Sequence, residues 1–291
     1  MPDNVSVDFQ QHRVTQSAGV PLALGSDISL MRVPIFQVDA FTMRRFAGNP
    51  AAVMPMENFP ADGTMQAIAA ENNLAETAFL VREDGDYRIR WFTPTTEVPL
   101  CGHATLASAA VVMERLEPSR RHVVFNSISG PLPVHRTATG YVMDFPARPG
   151  RRIAAPPGLA GALGATPVQL LDDGFNYAAV LATEHLVRNL APDIAAIAHL
   201  ERSGVIVTAP GTGPYDFVSR YFAPAKGIPE DPVTGGAHCT LVPYWAEHLG
   251  KTSFRAFQAS RRGGEVLCRL IGDRVHLEGA CVFYLEGEVE I

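Results

Sequence analysis

Two acidic side chains and one histidine stand beside glycine-containing segments, in surroundings suited to moving a proton. Glu76 begins an apolar run, where loss of hydration raises a carboxyl pKa and suits the group to exchange protons with carbon near neutral pH. His103 can polarise a substrate carbonyl or hydroxyl, and Asp231 can orient an amine or hydroxyl. Each residue also has a purely structural interpretation, as a locally hydrogen-bonded side chain or a loop-shaping aspartate, and these alternatives stay open.

Glycines mark the starts of two predicted helices, over 103–115 and 236–249. Gly102 precedes the first helix, and Gly235 and Gly236 open the second. Positions without a side chain leave backbone N–H groups accessible, and the helix dipole adds partial positive charge. Two such helix ends facing each other would hold a carboxylate. Packing or turn formation is the alternative explanation, although the occurrence of glycine at both helix starts favours a function.

A repeated segment explains why the glycines occur twice. Arg90–Pro94 has the pattern Arg, aromatic, Phe, small, Pro, which recurs in Arg220–Pro224 at an offset of 130. Upstream, Asn49–Met54 resembles Asn176–Leu181 at an offset of 127. A repeat this long exceeds solenoid periods and predicts two similar domains that face each other across a shared cleft.

Each copy reads as short strands around one long apolar helix. This pattern predicts an α+β fold of two pseudo-symmetric domains, each a curved, mostly antiparallel sheet wrapped around a central apolar helix. A further helix is predicted over 64–73, with its counterpart over 192–202. The counterpart of Glu76 falls near the apolar Ile206, so only one copy carries the acid.

The domain organisation follows from the repeat and from changes in composition. Residues 1–31 differ from the rest and are expected to form a flexible N-terminal extension. The first domain is predicted over 32–148 and the second over 149–279, divided by a Pro- and Gly-rich connector. The C-terminal strand 280–291 is expected to return to the first domain.

The composition of the chain limits the kinds of partner that the protein is expected to bind. The chain has 291 residues, 47% of them hydrophobic, and a net charge of −6, which argues against a nucleic-acid surface. No segment reads as a signal peptide or membrane span, and the four cysteines lack C-x-x-C spacing. We therefore expect reduced thiols in a cytoplasmic enzyme. Gly211–Gly213 lacks the rest of a phosphate-binding loop, and no His, Asp and Cys cluster has metal-ligand spacing, so neither cofactor nor metal is expected.

Six motifs, in order from about residue 32 to the C-terminus, resemble the PhzF (phenazine biosynthesis) family. They are Phe36–Phe41, Gly48–Val53, Asn73–Phe79, Phe92–Pro94 with Glu97, Cys101–Thr105 and Glu230–Gly235. The resemblance implies the diaminopimelate-epimerase-like fold, with two related domains, a site in the cleft between them and a homodimeric assembly.

The resemblance also implies roles for individual residues. Glu76 falls on the family's proton-shuttling glutamate, which takes a proton from one carbon and returns it to another. His103 and Asp231 fall on the substrate-polarising and substrate-orienting positions. Gly102 and Gly235 fall on the backbone contacts to the anion. The implied activity is a cofactor-independent isomerisation of a small carboxylate-bearing substrate.

One position departs from the family pattern. Gly236 stands where the phenazine enzyme has a serine, so a hydroxyl contact to substrate is missing. The dihydro-hydroxyanthranilate substrate of phenazine synthesis is therefore not expected, and the motifs name no other.

Two other functions remain open. A two-thiol amino-acid racemase or epimerase would use Cys101, but its second thiol would fall at Thr234, which cannot form a thiolate. Cys239 lies a turn into the helix and reads as a buried small hydrophobe. The other alternative is a non-catalytic ligand-binding member of the fold, which would not need Glu76, His103 and Asp231 together.

Overall fold

The repeated segment folds twice into the same succession of elements. The computed structural model describes residues 31–291, so the predicted extension over 1–31 lies outside the described residues except for Met31. The first copy consists of β1 (Arg32–Ala40), β2 (Asn49–Met56), α1 (Asp62–Asn72), β3 (Glu76–Glu83), β4 (Asp86–Phe92), β5 (Glu97–Val98), α2 (Gly102–Val111), a π-helical continuation (Val112–Leu116), β6 (His122–Ser127), β7 (Gly130–Arg136) and β8 (Tyr141–Pro146).

The second copy follows a short connecting region. It consists of β9 (Arg151–Ile153), α3 (Leu159–Leu163), β10 (Gln169–Asp172), β11 (Asn176–Val180), α4 (Glu184–Arg188), α5 (Ile194–Ala198), β12 (Gly204–Pro210), β13 (Phe217–Ala223), a 3-10 turn (Pro224–Lys226), β14 (Ile228–Asp231), α6 (Gly235–Leu249), β15 (Ser253–Gln258), β16 (Gly264–Ile271), β17 (Arg274–Gly279) and β18 (Cys281–Glu290).

Strand pairing repeats the same order in both copies. In the first, β1–β2, β3–β4, β4–β5, β6–β7 and β7–β8 are antiparallel, whereas β2–β3 and β4–β6 are parallel. In the second, β10–β11, β12–β13, β13–β14, β15–β16 and β16–β17 are antiparallel, whereas β11–β12 and β13–β15 are parallel. The predicted α+β class, with related and mostly antiparallel sheets, is confirmed.

The two copies are joined through their last strands. β8 pairs with β17 in antiparallel register, from Tyr141 opposite Gly279 to Pro146 opposite Arg274. The C-terminal strand β18 pairs with β1, and β9 pairs with β10 at the corresponding position of the second copy. Residues Arg32–Ile291 form one compact unit, and the domain boundaries at 148 and 279 stay a prediction.

The predicted central helices are α2 and α6. Every residue of α2 from His103 to Val111 is buried, and the helix contacts β1, β2, β3 and β8. α6 contacts β16 and β17 and buries Leu241 and Val242 in the same core cluster that contains α2. Within 31–291, no helix is long and apolar enough to cross a membrane. The sheets thus bury both helices and fix where their N-termini lie.

The helix predicted over 192–202 is present but shorter, since only α5 lies within that range, and α4 was not predicted. Its counterpart α1 is a regular helix of 11 residues, but the second copy has two five-residue helices, α4 and α5. Each short helix begins at its own N-cap, because Thr183 accepts a hydrogen bond from the Leu186 N–H and Asp193 accepts one from the Ala196 N–H. This irregular segment lies outside the central helices, so it does not affect the site.

Candidate active site

Glu76 and His103 form a buried pair at the point where β3 and α2 begin. Glu76 Oε2 lies 3.1 Å from His103 Nε2, with side-chain exposures of 10% and 5%. The alignment of the two groups is poor for a hydrogen bond, so both atoms are buried without a hydrogen-bond partner among the described residues. Buried polar atoms are normally hydrogen-bonded, so two facing atoms that have only each other within reach leave room for a polar group of a ligand.

The structure confirms that the acid has no equivalent in the second copy. In the parallel pair β2–β3, Glu76 lies opposite Ala51. In the corresponding pair β11–β12, Ile206 lies opposite Ala178, the counterpart of Ala51. Ile206 is fully buried in the core. The copies therefore agree in backbone register and differ in chemistry at this position.

Asn49 connects the first copy to the second inside the site. Its Nδ2 donates to Asp231 Oδ1 at 2.7 Å and to the Val233 carbonyl at 2.9 Å, and it lies 3.1 Å from His103 Nδ1. Gly48 positions it, since Gly48 has φ +66° and a β-carbon there would lie 2.2 Å from the Ala40 carbonyl oxygen. Asn49 therefore fixes the carboxylate and the imidazole relative to each other.

Asp231 is the last residue of β14 and is buried. The Thr234 hydroxyl donates to its Oδ2, and Gln258 Nε2 donates to its main-chain carbonyl at 2.8 Å. Burial raises the pKa of Asp231 to about 6, although the hydrogen bonds and the positive charge of His103 oppose that change. Asp231 thus titrates close to neutral pH, as a substrate-orienting or proton-handling group requires.

The pKa values of His103 and Cys101 are both raised, which keeps the imidazole charged and the thiol neutral. Burial disfavours the imidazolium, but contacts with Cys101 and the Glu76 carboxylate outweigh it, so the pKa of His103 lies well above its usual value. Burial and the nearby charge of Glu76 raise the pKa of Cys101 to about 11. Cys101 Sγ lies 3.4 Å from His103 Nδ1, on the side of the ring away from Glu76.

The N-termini of α2 and α6 meet beside this group. A β-carbon built on Gly102 would lie 3.8 Å from the Gly235 Cα, which is an ordinary contact, and neither glycine has a positive φ. Neither packing nor backbone conformation therefore requires glycine at these two positions. Neither helix has a side-chain N-cap, because the Thr234 hydroxyl is engaged by Asp231 instead. Uncapped N–H groups at two converging helix ends suit an anion.

A metal could use the same buried cluster only with rearrangement. Glu76, Cys101 and His103 each offer a donor atom within 4.8 Å of the others, and zinc accepts all three ligand types. In this arrangement, however, Cys101 faces Nδ1 and Glu76 faces Nε2, so one ion on either nitrogen is directed away from one ligand. The arrangement favours proton exchange among these groups, and the expectation of no metal stays a prediction.

The structure brings together Glu76, His103, Asp231, Gly102 and Gly235 as the sequence predicts, whereas Gly236 lies exposed beside them. Their roles in substrate binding and catalysis stay predictions. Sequence reasoning assigned no role to Asn49 or Gln258. The recurrence of Asn49 as Asn176 was the available signal for the first. Gln258 lies far along the chain from Asp231, and only the fold places them together.

Known proteins that are similar to this chain include isomerases and members of a phenazine biosynthesis-like family. A family model described as phenazine biosynthesis-like protein, PhzC-PhzF, matches residues 38–287. The chain is 49% identical over 261 residues to an uncharacterized isomerase of Pseudomonas aeruginosa, which covers 90% of this chain and 100% of that protein. A crystal structure of a PhzF-family phenazine biosynthesis protein from Enterococcus faecalis matches with a TM-score of 0.87 at 42% identity, over 90% of this chain and 100% of that one. A hydroxyproline epimerase from Agrobacterium vitis, with a TM-score of 0.58 at 11% identity over 89% and 93% of the two chains, shares the fold alone.

Proposed function

Because this chain belongs to the phenazine biosynthesis-like (PhzC-PhzF) family, we propose that it is a cofactor-independent isomerase that moves a proton between carbons of a small carboxylate-bearing substrate. The family prediction is confirmed, and the isomerase class agrees with the names of the curated relatives. The observation that carries the proposal is the buried Glu76–His103 pair, whose facing atoms have no hydrogen-bond partner among the described residues. In such a pair the carboxylate can accept and return a proton while the neighbouring imidazole stabilises the charge that develops on the substrate.

The substrate carboxylate binds at the converging N-termini of α2 and α6. The N–H groups that follow Gly102 and Gly235 supply hydrogen bonds, and the helix dipoles add positive potential. Asp231 and His103 fix the polar substituents of the substrate. With the anion held in this way, the carbon next to the carboxylate or conjugated with it is presented to Glu76.

Glu76 then performs both halves of the transfer. Its carboxylate takes a proton from carbon, and the electron pair of the broken C–H bond delocalises towards the substrate carboxylate or carbonyl. The charged His103 imidazole stabilises the negative charge that develops on oxygen. Glu76, now a carboxylic acid, delivers a proton to a second carbon, so no proton is gained or lost overall, and exchange of the acid proton with solvent before delivery carries deuterium from heavy water into the product.

The two-thiol mechanism has weak support from the site. Cys101 is a protonated thiol at neutral pH because its pKa is raised to about 11, and the hydroxyl of Thr234 occupies the position of a second thiol. Cys239 Sγ is directed at the Gly235 carbonyl within its own helix, 3.7 Å away. A non-catalytic ligand-binding protein would have no need for a buried carboxylate paired with a charged imidazole at the converging helix ends.

We also propose a cytoplasmic location, a homodimeric assembly and a role in a biosynthetic process. The first rests on the cysteines, since Cys101, Cys239, Cys268 and Cys281 are all free thiols in the structure. The other two follow from the family. Gel filtration with light scattering tests the dimer.

Deuterium uptake from heavy water tests the proposed reaction without knowledge of the product. A panel of small cyclic and unsaturated carboxylic acids is incubated with the wild-type protein and examined by NMR for exchange at carbon. The proposal predicts enzyme-dependent uptake at two carbons of at least one acid. An acid that binds tightly and exchanges no C–H bond would favour the ligand-binding alternative instead.

A further inference from the structure

Arg148 lies beside the first turn of α6, next to the position at which the family serine is missing. Its NH2 group donates to the Gly236 carbonyl at 2.5 Å, and its backbone N–H donates to the Cys239 carbonyl at 2.9 Å. The side chain is half-buried. Among residues 31–291, no carboxylate lies within 4 Å of its guanidinium, which therefore has hydrogen-bonding capacity left for a ligand.

Gly236 makes room for this guanidinium. A β-carbon at Gly236 would lie 3.2 Å from Arg148 NH2, closer than nearly all such contacts in proteins. The φ of Gly236 is not in the left-handed region, so the backbone does not require glycine. Gly236 thus leaves space beside Gly235 for a cationic group.

A second cation lies on the same side of the site. Lys226 Nζ is 3.0 Å from the Tyr221 hydroxyl, which itself donates to Asn176 Oδ1 at 2.9 Å. Tyr221 lies opposite Asp231 in the β13–β14 pair. The pKa of Tyr221 is raised, first by burial and then by the charge of Asp231, while Arg148 opposes the change. Tyr221 is thus within electrostatic reach of both the site carboxylate and Arg148.

Both cations lack a direct ion-pair partner among residues 31–291, although the charges of Asp231, Asp173 and Glu76 reach Lys226. Lys226, like Arg148, has no ion pair with any carboxylate between Arg32 and Ile291. Asp173, whose charge reaches Lys226, accepts a hydrogen bond from the Thr240 hydroxyl at 2.6 Å. In a chain with a net charge of −6, two unpaired cations on one side of a site indicate recognition of a second anion.

We propose that Arg148 and Lys226 bind a second acidic group of the substrate, so that this enzyme acts on dicarboxylates. The inference rests on the proposed function, because the first carboxylate is the one held by the helix N-termini. The guanidinium offers a planar pair of N–H donors suited to a carboxylate, and the lysine ammonium adds a point charge. Arg148 is a specificity-determining residue in this scheme and takes no part in the proton transfer.

Calorimetric titration with matched pairs of acids tests the proposal. The pairs are glutaconate with trans-3-pentenoate, and 4-cyclohexene-1,2-dicarboxylate with 3-cyclohexene-1-carboxylate. For at least one pair, the wild-type protein is expected to bind the diacid about 10- to 100-fold more tightly, as a charge-assisted hydrogen bond would give. Arg148→Gln should reduce this preference to less than about 3-fold and leave monoacid affinity unchanged.

Two further variants show whether a reduced diacid preference is caused by a loss of folding. Arg152→Gln makes the same charge change four residues away, at an exposed arginine 3.4 Å from Glu247, and should keep the full diacid preference. Gly236→Ser keeps the charge of Arg148 but crowds its guanidinium, so the preference should fall while thermal unfolding stays unchanged.

The outcomes separate this proposal from the proposed function. Equal affinity for diacid and monoacid in every pair, or a diacid preference unaffected by Arg148→Gln, would overturn the dicarboxylate site. A diacid preference that persists in Glu76→Gln supports the dicarboxylate site independently of the proton transfer. Deuterium exchange of a monoacid without any diacid preference would leave the isomerase intact and reject only the second anion site.

Discussion

Asn49 and Asp231, 182 residues apart in the chain, are joined by a hydrogen bond of 2.7 Å inside the candidate site. Asn49 comes from β2 of the first copy and Asp231 from β14 of the second. This bond makes the site a joint product of the two copies, since the same amide also lies 3.1 Å from the imidazole of His103. Loss of contact between the copies would therefore separate the acid–imidazole pair from the substrate-orienting carboxylate.

Asn49→Ala should destabilise the protein and impair the site together. Two buried hydrogen bonds are lost, to Asp231 and to the Val233 carbonyl, and an uncompensated buried acceptor remains. The expected decrease in the free energy of unfolding is about 1–3 kcal/mol. Urea unfolding measures it. Asn189→Ala removes an exposed amide that contacts only His185 and should change this free energy by less than about 0.5 kcal/mol. Equal effects of the two substitutions would contradict the role given to Asn49.

Asp231 should make the protein less stable as pH rises. Its pKa is about 6 in the folded state against an ordinary value of 3.8, so the folded state binds more protons between those two values. The contribution of Asp231 to the free energy of unfolding is therefore largest below about pH 4. It is lost as pH rises through 6, by about 3 kcal/mol in total. Asp231→Asn removes that dependence. Urea unfolding of both proteins from pH 4 to 8 should show the variant gaining on the wild type as pH rises, and a constant difference would refute the prediction.

Cys101→Ala should reduce the activity much less than Glu76→Gln does. The thiol is protonated at neutral pH because burial raises its pKa to about 11, and it has no second thiol across the site. We expect deuterium exchange to fall by less than about 100-fold, which is below the usual effect of losing an acid–base group. Cys268→Ala, at a buried cysteine of β16, is the matched control. A loss with Cys101→Ala as large as that with Glu76→Gln would favour the two-thiol mechanism.

The Arg220–Glu230 pair should stabilise the loop that carries Asp231. Arg220 donates to both carboxylate oxygens of Glu230 at 2.7 and 3.0 Å and to the Leu190 carbonyl at 2.7 Å. Arg90 and Glu97 form the same two-bond pair in the first copy. Arg220→Lys keeps the charge but not the planar donors, and should lower the free energy of unfolding by about 1–3 kcal/mol.

An exposed pair supplies the comparison for Arg220→Lys. Arg255 bonds both oxygens of Glu265, but the side chains are 46% and 38% exposed. Arg255→Lys should therefore change the free energy of unfolding by at most about 1 kcal/mol. If both Lys variants unfold at the same urea concentration, the Arg220 pair does not fix the loop.

The repeat, the class of fold and the two buried helices follow from local patterns. The Arg, aromatic, Phe, small, Pro motif appears twice, and α2 is apolar on all sides. Glu76, His103 and Asp231 could be selected because titratable groups beside apolar runs and glycines are chemically unusual. The helix predicted over 192–202 begins at the Asp193 N-cap and ends at Ala198, and periodicity does not decide these boundaries.

The residue-level contacts between most distant segments could not be predicted from the chain, although the return of the C-terminal strand to the first copy was. The joint between β8 and β17 depends on the register of two sheets. Asn49 acquires its partners, and Arg148 its place beside Gly236, only when the copies are assembled. Arg148 lies in the Pro- and Gly-rich connector, where a single residue belongs to no periodic pattern. Nothing in the sequence therefore predicted its place beside the site.

The most direct measurement of the central claim is deuterium exchange by Glu76→Gln. Glutamine preserves the shape of the side chain at the start of β3 but cannot take a proton from carbon. With an acid that the wild type exchanges, the variant should bind equally well and exchange about 10²- to 10⁴-fold more slowly. Glu83→Gln, at the exposed end of the same strand, should exchange at the wild-type rate. Exchange by Glu76→Gln at the wild-type rate would contradict a single-glutamate mechanism.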